Sequence, residues 1–313
     1  MSDLVARSYD SLGLKAVQWV VANLESFDPI AHDGSVKVDT VKPFAELAFL
    51  ASIVEQKRHS VYKEAFRAAT EFVERTAQRN QLRDRFLRQP SLFLLYGNIY
   101  TALERWSRQE HSWHLPIQRL IDSGYLTTME MVPFRKIDLF NMLEATGYRH
   151  DLPSPQELYR NTLAFRMPSV LYLTNDDAYA ITHTLFYLAD FGSQDLRLFL
   201  GERYADTVMY VEMLLGMYLR KQNWDIAGEL LICCDCLGSR PEPFYRLGWE
   251  GIARAQLDSG EIIGPKFDRN SPKLAAAAEA RKYCFDQNYH TTLVGIGAAL
   301  CSSRPEPDVG RQP

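Results

Sequence analysis

The sequence predicts an all-α protein, and three observations carry that expectation. Apolar residues recur at helical spacing in about twelve segments. N-capping residues, helix-opening prolines and terminal glycines stand at several of their ends. Strand-like alternation is nearly absent: SVLYLT (169–174) is the best run, and being short and isolated it reads as an extended connector.

Taken in order, periodic segments lie near 10–27, 42–58, 61–77 and 88–107. The basic run QRNQLRDRFLR (78–88) mixes arginine with aspartate and apolar residues, the pattern of a solvated helix face. Segments near 114–123 and 134–146 follow, the second opening at Pro133 and closing at Gly147. In 154–163, Ser154 precedes Pro155 and an acidic first turn, so its hydroxyl can cap free backbone N–H groups. Segments near 176–190 and 223–237 close at Gly192 and Gly238, and 202–221, 242–257 and 288–302 complete the series. Residues 258–280 read as a loop with an alanine-rich turn or two, and the polar, proline-rich 302–313 as a disordered tail. No composition break marks a linker, so one domain over 1–301 is expected.

Bulk properties narrow the function. The 313 residues are 46% hydrophobic and 24% charged, a globular composition. A net charge of −4 and a pI near 6.0 give no basic surplus for nucleic acid. No apolar run approaches the ~20 residues that a membrane span needs. The start, MSDLVARSYDSLGLK, lacks the apolar core of a signal peptide. A cytoplasmic protein is expected, with a small-molecule substrate and neither nucleic-acid nor membrane partners; a homo-oligomer is left open. The cysteines are Cys233, Cys234, Cys236, Cys284 and Cys301, an odd number that argues against a disulfide framework. LLICCDCLG (230–238) lacks C-x2-C spacing and lies in an apolar run, so its thiols are expected to be buried. His111 and His114 in HSWH, with no third ligand nearby, read as helix-start residues.

Candidate chemistry centres on NDDAYAITHTLFYLADFG (175–192), which contains no Lys, Arg or Glu. Asp176, His183 and Asp190 are seven apart, and seven residues turn a helix to within about 20° of two full turns. They form one stripe, with Tyr179 and Tyr187 between them and Thr182 beside it. A solvent-facing stripe would carry long charged side chains, whereas this one suits the wall of an enclosed, aromatic-lined cavity. A core histidine satisfied by a carboxylate is the alternative. NYHTTLVGIGAAL (288–300) places His290 beside Tyr289 and Thr292, ahead of Gly295 and Gly297. Glycine within a helix costs about 1 kcal/mol relative to alanine, so close packing or room for a ligand should offset it. In KPFAELAFLASIVE (42–55), Glu46 sits among aliphatic neighbours with Lys42 four residues before it. In EMVPFRKIDL (130–139), Arg135 and Asp138 are spaced to pair along a helix.

Two resemblances follow from these stretches. QLDSGEIIG (256–264), with a fainter echo in HDGSV (32–36), is similar to the turn that closes helix pairs in the α/α-toroid superfamily of terpene cyclases and protein prenyltransferase β-subunits. That implies an α/α toroid, about six helix pairs around a central cavity; an open α-solenoid is the alternative architecture. The segments KPFAELAFLA, VPFRKIDL, YAITHTLFYLADFG and NYHTTLVGIGAAL resemble a group of uncharacterised helical proteins of actinobacteria associated with natural-product biosynthesis. This resemblance implies Glu46, Arg135, His183, Asp190 and His290 as site positions in a bacterial protein. The chain departs from the D-x-D-D of class II terpene cyclases, offering Thr174-Asn175-Asp176-Asp177 instead. Its Asp235, Cys236 and His290 match a prenyltransferase zinc site in type but not in spacing.

Nucleophile elbows, phosphate loops, dinucleotide fingerprints and H-E-x-x-H are absent. The expected function is a cofactor-independent biosynthetic enzyme, catalysing a cyclisation, elimination or isomerisation by acid–base chemistry. His183, oriented by Asp190, would act as acid or base, with His290 and Glu46 opposite. Asp176, Tyr179, Thr182, Tyr187, Tyr289, Thr292 and Arg135 would bind substrate. In a variant, a divalent metal is held by His183, His290 and Asp190. The competing class is a non-catalytic helical scaffold or small-molecule binder.

Overall fold

The computed structural model describes residues 3–57, 59–106, 113–271 and 276–303. His111 and the expected tail from 304 lie outside the described residues. The all-α expectation holds: strand character among the described residues is confined to two isolated bridges, Ile30 with Val36 and Gln256 with Ile262. SVLYLT forms a single 3-10 turn over Val170–Tyr172.

Each of the twelve expected segments contains a helix. We label these α1 (Asp3–Ala22), α2 (Val38–Lys57), α3 (Ser60–Ala77), α4 (Phe93–Trp106), α5 (His114–Asp122), α6 (Pro133–Thr146), α7 (Pro155–Arg160), α8 (Asn175–Leu188), α9 (Tyr204–Lys221), α10 (Trp224–Cys236), α11 (Phe244–Ala255) and α12 (Ala277–Ser302). The basic run is a further short helix, Asn80–Arg88. Capping chemistry sets several starts. Ser154 Oγ accepts from Glu157 N, and Glu157 in turn accepts from Ser154 N. Thr174 and Asp177 form the same reciprocal box at the start of α8, so this aspartate serves the backbone.

Among the boundaries that differ from expectation, two have a visible reason. Helix α12 starts at Ala277 rather than near 288, because the polar residues around 288 do not interrupt it. Asn288 is fully buried, and its side chain accepts from Gly264 N, which anchors the preceding loop. Helix α8 stops at Leu188, where Asp190 and Phe191 take positive φ values of 42° and 52°.

The even-numbered helices touch in a closed cycle: α2 on α4, α4 on α6, α6 on α8, α8 on α10, α10 on α12, and α12 back on α2. Five odd-numbered helices pack against members of this cycle: α1 on α12, α3 on α2, α7 on α6, and α9 and α11 on α10. Small residues let neighbours approach. A Cβ on Gly295 would come within 2.2 Å of Ile262 Cδ1, and one on Gly228 within 2.7 Å of Val294 Cγ1. Packing therefore explains these two glycines.

The two similar loops are one turn used twice. Residues 29–37 lead into α2, and residues 255–263 follow α11. Ala31 N donates to Ser35 O as Leu257 N donates to Glu261 O, and Lys37 N to Pro29 O as Ile263 N to Ala255 O. Gly34 (φ 82°) and Gly260 (φ 112°) occupy the same position, in a region that side-chain-bearing residues seldom adopt.

Candidate functional site

Every member of the cycle contributes to one cavity of about 810 Å³: α2 gives Glu46, α4 Leu95, α6 Arg135, α8 His183, α10 Glu229 and α12 His290. The residues expected from four separate stretches of sequence thus meet. Helical periodicity does this on α8, where Asp176, Tyr179, His183, Phe186 and Tyr187 all line the cavity.

At its centre, Glu229 stands between two imidazoles. Its Oε2 lies 3.5 Å from His183 Nδ1 and accepts from the Thr182 hydroxyl, and its Oε1 lies 3.8 Å from His290 Nε2. Glu46 Oε2 is 2.9 Å from His290 Nδ1, and Lys42 Nζ is 3.5 Å from Glu46 Oε1. Asp225 faces the same ring, its Oδ2 being 3.7 Å from His290 Nε2. It also accepts hydrogen bonds from Thr291 (2.8 Å) and from the Tyr179 hydroxyl. Asp225 and Glu229 are one turn apart on α10, so they share a face.

These contacts decide protonation. Burial works against charge on His290, but Glu46 and then Asp225 outweigh it and hold its pKa well above the ordinary imidazole value. Burial would raise the Glu229 pKa, yet His183 and His290 bring it down to about 2. Glu46 is likewise lowered, His290 and then Lys42 overcoming burial. Beside this group, Arg135 Nη1 donates to Asp138 Oδ2 at 3.0 Å, the pairing its spacing implied, while the guanidinium still lines the cavity. Burial raises Asp138 against the pull of Arg135, and raises Tyr187 well above its ordinary value, with Asp138 adding to the effect.

Aromatic rings enclose His183: Phe134, Phe186, Tyr187 and Tyr179 have centroids 5.6, 4.8, 5.9 and 6.1 Å from it. With Nδ1 turned to Glu229, Nε2 is the nitrogen left for a ligand.

Several expected residues fall elsewhere. Asp190 does not orient His183: the left-handed backbone after Leu188 takes it off the helical stripe. It accepts instead from Arg105 Nη2 (2.6 Å), Gln56 Nε2 (2.6 Å) and Asn141 Nδ2 (3.4 Å). The His183–His290–Asp190 metal set is therefore not assembled, and no other cluster suited to a metal occurs among the described residues. Tyr289 packs on Phe27 and Phe285, and Thr292 donates to Asn288 O and accepts from Ile262 N; both face away from the cavity. Thr182 is buried and acts on Glu229. Asp235 holds Arg240 and Tyr245, so it is not beside His290. Cys233, Cys234 and Cys236 are buried, as expected. His114 stacks on Tyr148.

Sequence reasoning missed Glu229 and Asp225. The available signal was WDIAGELLICC (224–234), where two acids four apart have no basic neighbour in an otherwise apolar helix.

Fold and site together define an all-helical protein with a central cavity in which a buried carboxylate bridges two histidines. The chain belongs to the DUF6895 family, described as a domain of unknown function, whose family model matches residues 13–300. No curated protein and no solved structure matches it.

Proposed function

We propose that the cavity is the active site of a cytoplasmic enzyme of specialised metabolism that moves a proton on a small organic substrate, in a cyclisation, elimination or isomerisation. The six-helix cycle is read as the inner ring of an α/α toroid. The observation that carries the proposal is the Glu229 carboxylate shared by His183 and His290 at the centre of the cavity. His183 is the catalytic base, taking a substrate proton at Nε2, and Glu229 stabilises the imidazolium that forms, in the manner of an acid–base dyad. His290, already charged and held by Glu46, keeps Glu229 ionised and in place as a positioning residue. Tyr179 and Tyr187 shape the substrate surface, Arg135 lines the wall, and the exposed Asp176 stands towards the opening.

The test is a chromosomal His183→Ala substitution compared with deletion of the gene. Loss of a general base costs about 10²–10⁴ in rate, so the variant should reproduce the small-molecule profile of the deletion at unchanged protein level. A deletion phenotype that His183→Ala fails to reproduce would overturn catalysis. That outcome would favour a binder of small molecules, a reading to which the mainly apolar wall lends support.

A further inference from the structure

The cavity is graded from rim to floor. Lys42, Ser91 and Asp176 are exposed at its opening, while Ile53, Phe186, Phe191 and Ile232 at the far end are all 5% exposed or less. These four are apolar, and Glu229, the one charged lining residue as buried as they are, stands three residues before Ile232 on α10. Polar groups occupy the middle level, and their charges are already matched within the protein: Glu46 with Lys42, Glu229 with the charged His290, and Arg135 with Asp138. A charged ligand group at that level would have to break one of these pairs or stay uncompensated in a desolvated site. An uncharged oxygen can instead hydrogen-bond without displacing any of them.

Gly297 gives the independent observation. Like Gly295 it lies mid-helix in α12, where glycine costs about 1 kcal/mol relative to alanine. Unlike Gly295 it is not forced by packing: a Cβ would meet only Ile232 Cδ1, at an ordinary contact distance of 3.5 Å. Gly297 lines the cavity, so what it preserves is space at the floor.

We infer that the cavity takes a mainly hydrocarbon molecule bearing one uncharged oxygen function, hydroxyl or carbonyl, with its apolar end against Gly297 and its oxygen level with His183 and Glu229. Gly297 then sets the length or bulk that is accepted. This deepens the active-site reading by naming the substrate class, yet it is tested by binding alone, so either can fail without the other.

The experiment is calorimetric titration of the full chain with 1-octanol, 1-decanol and 1-dodecanol, alongside decanoate and decylammonium. Affinity should rise about fourfold per methylene until the floor is reached. Gly297→Val should bring the plateau to a shorter chain, with octanol affinity held within about twofold; Gly297→Ala, whose Cβ fits as the backbone stands, should shift it less. Both charged decyl probes should bind at least about tenfold more weakly than decanol, the scale of one charge left unpaired. Affinity independent of chain length, a plateau unmoved in both folded variants, or tighter binding of either charged probe would overturn the inference.

Discussion

Replacing Glu229 by glutamine removes one charge from the centre of the site while keeping shape and an acceptor for Thr182. Glu229 is 2% exposed, and its carboxyl falls from the ordinary 4.5 to about 2 because His183 and His290 outweigh burial. Folded-state depression means that the unfolded chain binds the proton more readily. The stabilisation is therefore fully present above the unfolded value, about 4.5, and is lost as pH falls through about 2. At about 1.36 kcal/mol for each tenfold change in proton affinity, it amounts to roughly 3 kcal/mol at neutral pH. That is a large share of the ~5–15 kcal/mol that separates folded from unfolded domains. Urea unfolding followed by circular dichroism at pH 7, 5, 4 and 3 should show Glu229→Gln less stable by about 3 kcal/mol at pH 7, with the gap narrowing below pH 4.5. A variant as stable as wild type at pH 7, or a gap indifferent to pH, would refute the electrostatic account. The second result would point to packing alone.

Glu46→Gln should lower the His290 pKa towards its ordinary value, read from the ring-proton shift in an NMR titration. Because the folded pKa of His290 is raised, its stabilisation is present below the ordinary 6.5 and lost as pH climbs through the folded value, so this variant should lose most stability between about pH 4.5 and 6.5 and progressively less above that. Asp190→Ala leaves the Arg105 guanidinium, 12% exposed, without its carboxylate and should cost roughly 3–5 kcal/mol in chemical denaturation. Gly295→Ala should lower stability by about 1–3 kcal/mol through overpacking against Ile262, whereas Gly297→Ala should be neutral or raise it by up to about 1 kcal/mol; paired thermal melts decide both.

The helices were legible because amphipathic periodicity and capping act over short distances. Seven-residue spacing put His183 on the same wall as Asp176, and isolation among aliphatic residues marked Glu46. Asp190 shows where such reasoning stops. The stripe argument assumes that the helix continues, but it ends at Leu188, and Asp190 and Phe191 themselves take left-handed backbone. His183 instead draws its carboxylate from α10, a partner 46 residues away. A cluster of cysteines drew attention on that helix, although the acids one turn ahead of them carry the site. Thr292 and Tyr289 sit beside His290 in sequence, but adjacent helix positions are about 100° apart, so neighbours in the chain face different surroundings.

The seam between α2 and α12 has a practical consequence. Glu46 and His290 meet across 244 residues of chain, at the contact that shuts the ring. A molecule that touches both stitches that seam, and none can do so in the unfolded chain. At a free concentration of one hundred times its Kd, such a ligand adds about 2.7 kcal/mol to unfolding. The melting temperature can therefore identify the natural ligand from a mixture of compounds before any reaction is known.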